Sequence, residues 1–345
     1  MPGRWVLAVM LVGSTAPAAT QEPPRAHAGD SLFASRGAMQ VTLATDLRTL
    51  LKDRTGRTPY RDAVIIVPRE NGGSDSIPAR VRTGGIFRRS LAHCDFPPLH
   101  VRYHAHDAHG TVFAHHSRLK LTTHCQPSHR YEQYVLQEYR LYLLLNVLTP
   151  LSFRARLARI TYVDRVHPST PFTAIGFFLE DVSDVAERNG AQLVDVKGAE
   201  YSDLDPVQLD LATWFDYMIG NSDWSIPVLH NVELVRDTAM GHVFPIPYDF
   251  DFSGVIDASY AAPDPRLGIA TVRDRIYRGR CGAPEQFQPT FDRFIAARAS
   301  ISALYDDSSG IDAGRRKEIA KYYDDFYRTI GDRGRLEGEI RRHCK

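Results

Sequence analysis

The sequence predicts an α+β fold in two lobes: a β-rich first lobe with one long helix, and a mainly helical second lobe. Three observations predict it. Short alternating or continuously apolar runs fill the first half of the chain. A long apolar stripe at helical spacing follows them, and apolar helical faces dominate the second half. The 345 residues are enough for two modest domains.

The N-terminal segment predicts an exported protein. An apolar run over 5–12 follows Arg4, and the small residues of a cleavage site occupy 16–18. The run is too short to span a bilayer. We therefore expect a signal peptide over 1–20, a flexible tail over 21–38, and a secreted or periplasmic protein without a transmembrane segment.

Export would place the four cysteines in an oxidising compartment, where disulfides form. Among the possible pairings we favour Cys94–Cys125 and Cys281–Cys344, because each bond then links residues of the same half. The chain has no CxxC spacing, so it gives no support for a zinc knuckle.

Basic and acidic residues are almost equal in number. Lys plus Arg number 42 and Asp plus Glu number 41, which gives no case for nucleic acid or a membrane surface as a partner. A GxSxG motif is absent, so a serine hydrolase has no motif support.

The β-rich lobe is predicted over 39–190. Its strands are predicted at 40–44, 62–68, 77–82, 99–103, 119–123, 156–163 and 172–179.

The long helix of this lobe is predicted over 131–148, and Glu138 lies in the middle of its apolar stripe. A carboxylate on a buried helix face is costly unless it is paired. Lys120 on a preceding strand is the nearest candidate partner. Two alternatives stay open: Glu138 reaches the edge of the stripe, or it forms a structural pair with Arg140 or Arg154.

The helical lobe is predicted over 207–345, after a connector at 191–206 that is rich in turn-forming pairs. Apolar residues from Val207 to Met218 form one helical face that ends at Gly220. Asp223 follows in the next loop. Two further helices are predicted, at 284–304 and 313–330.

A β-hairpin in this lobe carries the candidate site. Strands are predicted at 232–236 and 243–248, and pairing residue 236 with residue 243 places Asn231 opposite Tyr248, beside Asp249. Amide and carboxylate oxygens are the ligands that Mg²⁺ prefers. An Asp, an Asn, a hairpin and another Asp also form the order of a kinase catalytic segment. The alternative is a surface hairpin rich in turn formers.

Four stretches of the chain resemble the CotH-like kinase family, over a region from about residue 41 to about residue 282. The stretches are Arg82-Thr-Gly-Gly-Ile-Phe, the Lys120 strand with the Glu138 helix, Ile175-Gly-Phe-Phe-Leu-Glu-Asp, and the segment from His230-Asn231 to Tyr248-Asp-Phe-Asp-Phe-Ser-Gly254. The last stretch is the specific one.

The resemblance implies an ATP-dependent phosphotransferase of protein-kinase-like fold. By that carry-over Lys120 holds the ATP phosphates, Glu138 orients Lys120, and Asp223 accepts the proton of the acceptor hydroxyl. Asn231 and Asp249 bind Mg²⁺ or Mn²⁺. The acceptor is a protein or a small molecule that the sequence does not identify.

Further residues are implied by the same resemblance. Asp251 assists the metal or shapes the loop, while Gly84, Gly85 and Glu180 contact the nucleotide. Asp251 stands where glycine completes the usual triplet, so an inactive kinase-like binding or scaffold protein is the alternative function.

Two other patterns carry weaker hypotheses. Histidines are dense between His93 and His129, and His104 and His106 at alternating strand positions would share a face able to hold zinc or copper. The basic run over 273–280 is either a clamp for an acidic acceptor or a solvated loop.

Overall fold

Seven strands close into a barrel within residues 32–69 and 71–344, the part of the chain that the computed structural model describes. They are β1 (Met39–Thr45), β2 (Arg61–Pro68), β3 (Ser74–Thr83), β4 (Leu99–Tyr103), β5 (Arg118–Thr122), β6 (Ala155–Asp164) and β7 (Phe172–Leu179). Their order around the barrel is β1-β2-β3-β4-β5-β7-β6. The parallel pairing of β1 with β6 closes the sheet, whereas the other pairs are antiparallel.

Alternation along these strands fills the barrel. Ile77 and Val81 of β3, Val101 of β4 and Leu119 of β5 are buried in one apolar cluster. Their sequence neighbours point to the outer face, because successive side chains in a strand alternate between the two faces of the sheet. The outer face of β3, β4 and β5 is therefore free to carry polar side chains.

The rest of the described chain contains α-helices, a small sheet and the loops that connect them. The helices are α1 (Leu47–Lys52), α2 (His129–Leu148), α3 (Val182–Arg188), α4 (Pro206–Ile219), α5 (Gln288–Ala303), α6 (Ala313–Ile330) and α7 (Arg333–His343). The sheet has the order β10-β9-β8, with β8 (Ala191–Val194), β9 (Val232–Asp237) and β10 (Val243–Pro247).

The predicted two-lobed, protein-kinase-like fold is wrong. The strands of the first half form a closed barrel, and the long helix α2 does not belong to a separate lobe with them. Leu144 of α2 and Phe177 of β7 are buried in the same cluster as Trp214 of α4 and Phe291 of α5. The helical core thus continues onto the outer face of the barrel.

Two of the predicted connecting segments contain structured residues. The segment 191–206 was predicted to be a connector, but it contains β8, which pairs with β9. The predicted flexible tail, 21–38, includes Leu32, which is buried in the barrel cluster. The predicted signal peptide, 1–20, lies outside the described residues.

Both predicted disulfides are present, Cys94–Cys125 and Cys281–Cys344. The first joins the segment after the turn at Phe87–Arg89 to the segment after β5. It therefore fixes two pieces of chain that flank the candidate site. Among the described residues, no helix has the length and apolar character needed to cross a membrane.

Candidate functional site

The hairpin of β9 and β10 has the register that the sequence predicts. Arg236 lies opposite Val243, and the backbone N–H of Tyr248 donates to the carbonyl of Asn231 at 3.0 Å. Asn231 and Asp249 follow the ends of this ladder with φ of 54° and 60°. Asn and Asp tolerate this left-handed conformation better than most residues. The backbone conformation alone therefore favours Asn and Asp at these two positions.

Asp249 lies between two cations. Arg88 Nη2 donates to Asp249 Oδ1 at 2.7 Å, and Lys120 Nζ is 3.3 Å from Asp249 Oδ2. The backbone N–H of Asp249 donates to the hydroxyl of Tyr142 at 2.9 Å. Burial acts to raise the pKa of Asp249, but Lys120 and Arg88 outweigh it and hold that pKa below its usual value.

Arg88 connects this pair to two further carboxylates. Its side chain is only 7 % exposed and lies 3.7 Å from Glu138 and 3.4 Å from Asp251. Burial raises the pKa of Glu138 to about 8, although Arg88 opposes the shift. Burial also raises the pKa of Asp251, again against Arg88. We call Arg88, Lys120, Glu138, Asp249 and Asp251 the charged cluster.

The predicted pairing of Lys120 with Glu138 is not the one formed. Glu138 pairs with Arg88, and Lys120 pairs with Asp249. The alternative partners are also engaged elsewhere, since Arg140 donates to the Ser309 carbonyl. The pattern correctly required a cation for Glu138, but Arg88 lies in a short turn whose sequence gives no sign of burial.

Glu180 has a structural role in this arrangement. Its side chain is fully buried and is held by Arg154 at 2.7 Å and Arg188 at 3.0 Å. Arg154, an alternative partner of Glu138 in the sequence analysis, is therefore bound here. These contacts leave Glu180 poorly placed to contact a nucleotide.

The two predicted loop glycines differ in their surroundings. A Cβ on Gly84 would lie 2.8 Å from the His100 ring, so the close packing there requires glycine. Gly85 has φ of +71° and lines the cleft described below. Gly85 thus begins the turn that positions Arg88.

The loop after α4 presents Asp223. His230 Nε2 lies 2.8 Å from Asp223 Oδ1, and the amide of Asn231 donates to the Asp223 carbonyl at 2.7 Å and to its Oδ2 at 3.1 Å. The carboxylate is 39 % exposed, so a ligand can reach it. Asn231 thereby orients the predicted base, and its amide oxygen remains available as a ligand.

The basic run over 273–280 supports this half of the protein. Arg278 donates to the carbonyls of Ser222 and Trp224 at 2.6 and 2.7 Å, which holds the Asp223 loop in place. Arg280 pairs with Asp210 at 2.7 Å. Since these arginines are engaged by the protein itself, the acidic-acceptor clamp loses its basis.

The buried carboxyl of Asp216 also supports the loop that contains Asp223. Asn221 donates to Asp216 Oδ1 at 2.9 Å, and the backbone N–H of Asp223 donates to Asn221 Oδ1 at 3.1 Å. Burial raises the pKa of Asp216 from 3.8 to about 8, although Asn221 and Arg278 oppose the shift. Asp216 and Asn221 are positioning residues that the sequence analysis missed, because they lie within an apolar helical face and the adjoining turn.

We expect Asp216→Asn to remove a pH dependence of stability. Between pH 3.8 and about 8 the folded protein binds a proton at Asp216 that the unfolded chain has released. The free energy of unfolding therefore falls as pH rises through this window, by about 1.4 kcal/mol per pH unit for one group. Urea denaturation at several pH values should show a shallower fall for the variant than for wild type. The surface variant Asp324→Asn should follow wild type, and identical slopes for all three proteins would contradict the assignment.

Most of the predicted site residues, though not Gly84 and Glu138, line one cleft of about 900 Å³. It is lined by Lys120, Asp223, Asn231, Asp249, Asp251, Gly85 and Glu180. Apolar side chains of Phe153, Leu179 and Tyr248 contribute to the same wall. Glu138 does not line the cleft, but it pairs with Arg88, which does.

The histidine-rich stretch does not form a metal centre among the described residues. His104 and His106 lie in the turns after β4 rather than on a strand face. Burial, followed by nearby cations, lowers the pKa of His100 to about 4, and burial lowers that of His124 to about 4. His116 pairs with Asp184 at 2.7 Å.

A group with metal-compatible spacing lies elsewhere in the described chain. Ligand atoms of Asp46, Asp164 and His167 all lie within 4.8 Å of one another. Both aspartates already accept backbone N–H groups: Asp46 accepts from Thr49, and Asp164 from Arg48 among others. These bonds explain the local arrangement without an ion.

Comparison with protein-family models gives no match for this chain, and comparison with curated proteins gives none either. The resemblance to the CotH-like kinases therefore stays a prediction. The functional argument rests on the geometry of the cleft.

Proposed function

We propose that the cleft binds a nucleoside triphosphate such as ATP with Mg²⁺ or Mn²⁺ and transfers its terminal phosphoryl group to a hydroxyl acceptor. One observation carries the proposal: Lys120 and Arg88 flank Asp249 in the same cleft that exposes Asp223 beside His230. Phosphoryl transfer depends mostly on positioning and charge neutralisation, so these few groups supply its main requirements.

The donor set around Asp249 suits a hard divalent cation. Asp249, Asp251 and the amide oxygen of Asn231 would hold it, since oxygen ligands are preferred by Mg²⁺. The charged cluster has three carboxyl groups and two cations, and Glu138 Oε1 is buried without a hydrogen-bond partner among the described residues. A divalent ion would stabilise the ionised form of these carboxyl groups and neutralise phosphate charge.

The protein groups have distinct tasks in the transfer. A bond forms between the acceptor oxygen and the terminal phosphorus, and the bond from that phosphorus to the bridging oxygen breaks. The hydroxyl proton passes to the carboxylate of Asp223, which His230 and Asn231 hold in place. Lys120 stabilises the phosphate oxygens, and the nucleoside diphosphate leaves.

Export belongs to the same proposal. The two disulfides are compatible with an oxidising compartment outside the cytoplasm. The proposal therefore includes export, and mass spectrometry of the mature N-terminus in the secreted or periplasmic fraction would locate the cleavage point.

Nucleotide with Mg²⁺ should stabilise the wild-type protein against heat. At a nucleotide concentration about 100-fold above Kd, we expect the midpoint to rise by roughly 5 °C, because the ligand binds the folded state only. Asp249→Asn keeps the volume of the side chain but removes its charge, and should lose most of this rise. Thermal-shift measurements with ATP, ADP and each metal ion test the expectation.

The matched control is Asp324→Asn, which removes an aspartate paired with Arg298 outside the cleft. It should keep the full nucleotide response. An equal response in the Asp249 variant would overturn the assignment of Asp249. Binding without any release or transfer of phosphate would instead favour an inactive nucleotide-binding protein, a reading consistent with the occupation of both Asp249 oxygens by cations.

A further inference from the structure

The outer face of β3, β4 and β5 concentrates positive charge beside the cleft. The register places Arg82 next to His100 and His100 next to Lys120 across the strands. A parallel row places Arg80 next to Arg102 and Arg102 next to Arg118. Like charges directly opposite one another destabilise a sheet. We call this surface the basic face.

In the described part of the chain, two members of the basic face have no carboxylate partner. Arg80 pairs with Asp62, Arg118 with Asp181 and Lys120 with Asp249. Within residues 32–69 and 71–344, no such pair involves Arg82 or Arg102. The Nε of Arg82 is buried without a hydrogen-bond partner.

The ring of Tyr60 holds these two guanidinium groups together. Arg82 lies 5.0 Å and Arg102 lies 4.8 Å from its centroid. Stacking on a ring uses the face of a guanidinium group and leaves its N–H edge available for a planar or tetrahedral anion. Arg82, Arg102 and Tyr60 also line the cleft that contains Asp223 and Asp249.

His100 adds no charge to the basic face, but its pKa responds to the positive charges around it. Burial is the largest cause that lowers its pKa to about 4, and Arg82, Lys120 and Arg102 follow. Asp181 opposes them. The histidine is therefore neutral at physiological pH, and its position between the basic side chains is compatible with an anion that draws them together.

We infer that Arg82 and Arg102 bind a phosphate group of the acceptor, so that the acceptor is a hydroxyl compound that already carries a phosphate. Arg82 is two strands away from Lys120, a separation of about 10 Å between strand axes. Lys120 is held at Asp249, whereas Arg82 and Arg102 converge on the ring of Tyr60, so these two arginines define a second anion position. The assignment of this anion to an acceptor rests on the proposed function, whereas the anion position itself does not.

Inorganic phosphate is the probe for the anion position. Isothermal titration at constant ionic strength should show binding to wild type, and Arg82→Gln with Arg102→Gln should weaken it by about tenfold or more. The control is Arg159→Gln, because Arg159 is an exposed strand arginine on β6, away from the basic face. The double variant should unfold at the same temperature as wild type or higher, since it removes like-charge repulsion.

The same variants titrated with ADP and Mg²⁺ separate the possible sources of the anion. Unchanged ADP affinity together with lost phosphate binding supports the acceptor position. An equal loss of ADP affinity would mean that the arginines hold the nucleotide, and would overturn the inference. Phosphate binding that survives in the double variant would overturn it as well. If phosphate binds through these arginines but ADP does not bind at all, the anion position stands and the proposed transferase is rejected.

Discussion

Asp223→Asn should lower the rate of phosphate transfer by a factor on the order of a hundred to a thousand, with nucleotide affinity unchanged. A general base contributes roughly this much, and an amide cannot take the acceptor proton at neutral pH. The substitution keeps the shape of the side chain and an oxygen that can face His230. Release of phosphate to water and self-phosphorylation, followed with saturating ATP and Mg²⁺, provide the measurement.

A second variant separates chemistry from positioning. His230→Gln keeps a hydrogen-bond donor near Asp223 and should reduce the rate by a smaller factor. Neither change should alter the nucleotide-dependent rise in melting temperature, because Asp223 and His230 lie on the acceptor side of the proposed reaction. A fully active Asp223 variant would exclude this residue as the base and leave the binding of nucleotide as the supported part of the proposal.

Local patterns predicted the parts of the site that neighbours in sequence create. The hairpin register followed from alternation on the two sides of one turn, and it brought Asn231 next to Tyr248 as expected. The prolines of β10 also fit, since β10 is an edge strand of its sheet. The apolar stripe of α2 correctly required a buried partner for Glu138.

Those local patterns could not predict contacts between segments that are distant in sequence. Arg88 and Asp249 are 161 residues apart, and the short turn that contains Arg88 has no periodicity that would indicate its burial. The pairing of β1 with β6 likewise joins segments more than a hundred residues apart. Alternation identifies the buried face of a strand but not its partner, so it could not distinguish a closed barrel from the strand-rich lobe of a kinase-like fold.

Arg88→Met should lower the free energy of unfolding by about 3–5 kcal/mol at pH 7, the usual cost of removing one partner from a buried ion pair. The variant leaves Glu138, Asp249 and Asp251 in a buried region with Lys120 as the remaining cation of the charged cluster. Urea denaturation measures the loss. The adjacent Arg89→Met is the matched control, because Arg89 is less buried and donates to the Gly56 carbonyl. It should cost about 1 kcal/mol.

The charge on Asp249 and Asp251, rather than lost packing, should account for most of the Arg88 effect. Adding Asp251→Asn to Arg88→Met removes one of the uncompensated carboxylates and should restore part of the lost stability, whereas burial already keeps Glu138 largely protonated at pH 7, because its pKa is about 8. The loss should also shrink as the pH falls, because protonated carboxyls no longer need a cation. A loss that is the same at pH 5 and pH 8 and unaffected by Asp251→Asn would assign the effect to packing. In that case Arg88 would stabilise the protein by packing, and it would not be the residue that holds the charged cluster together.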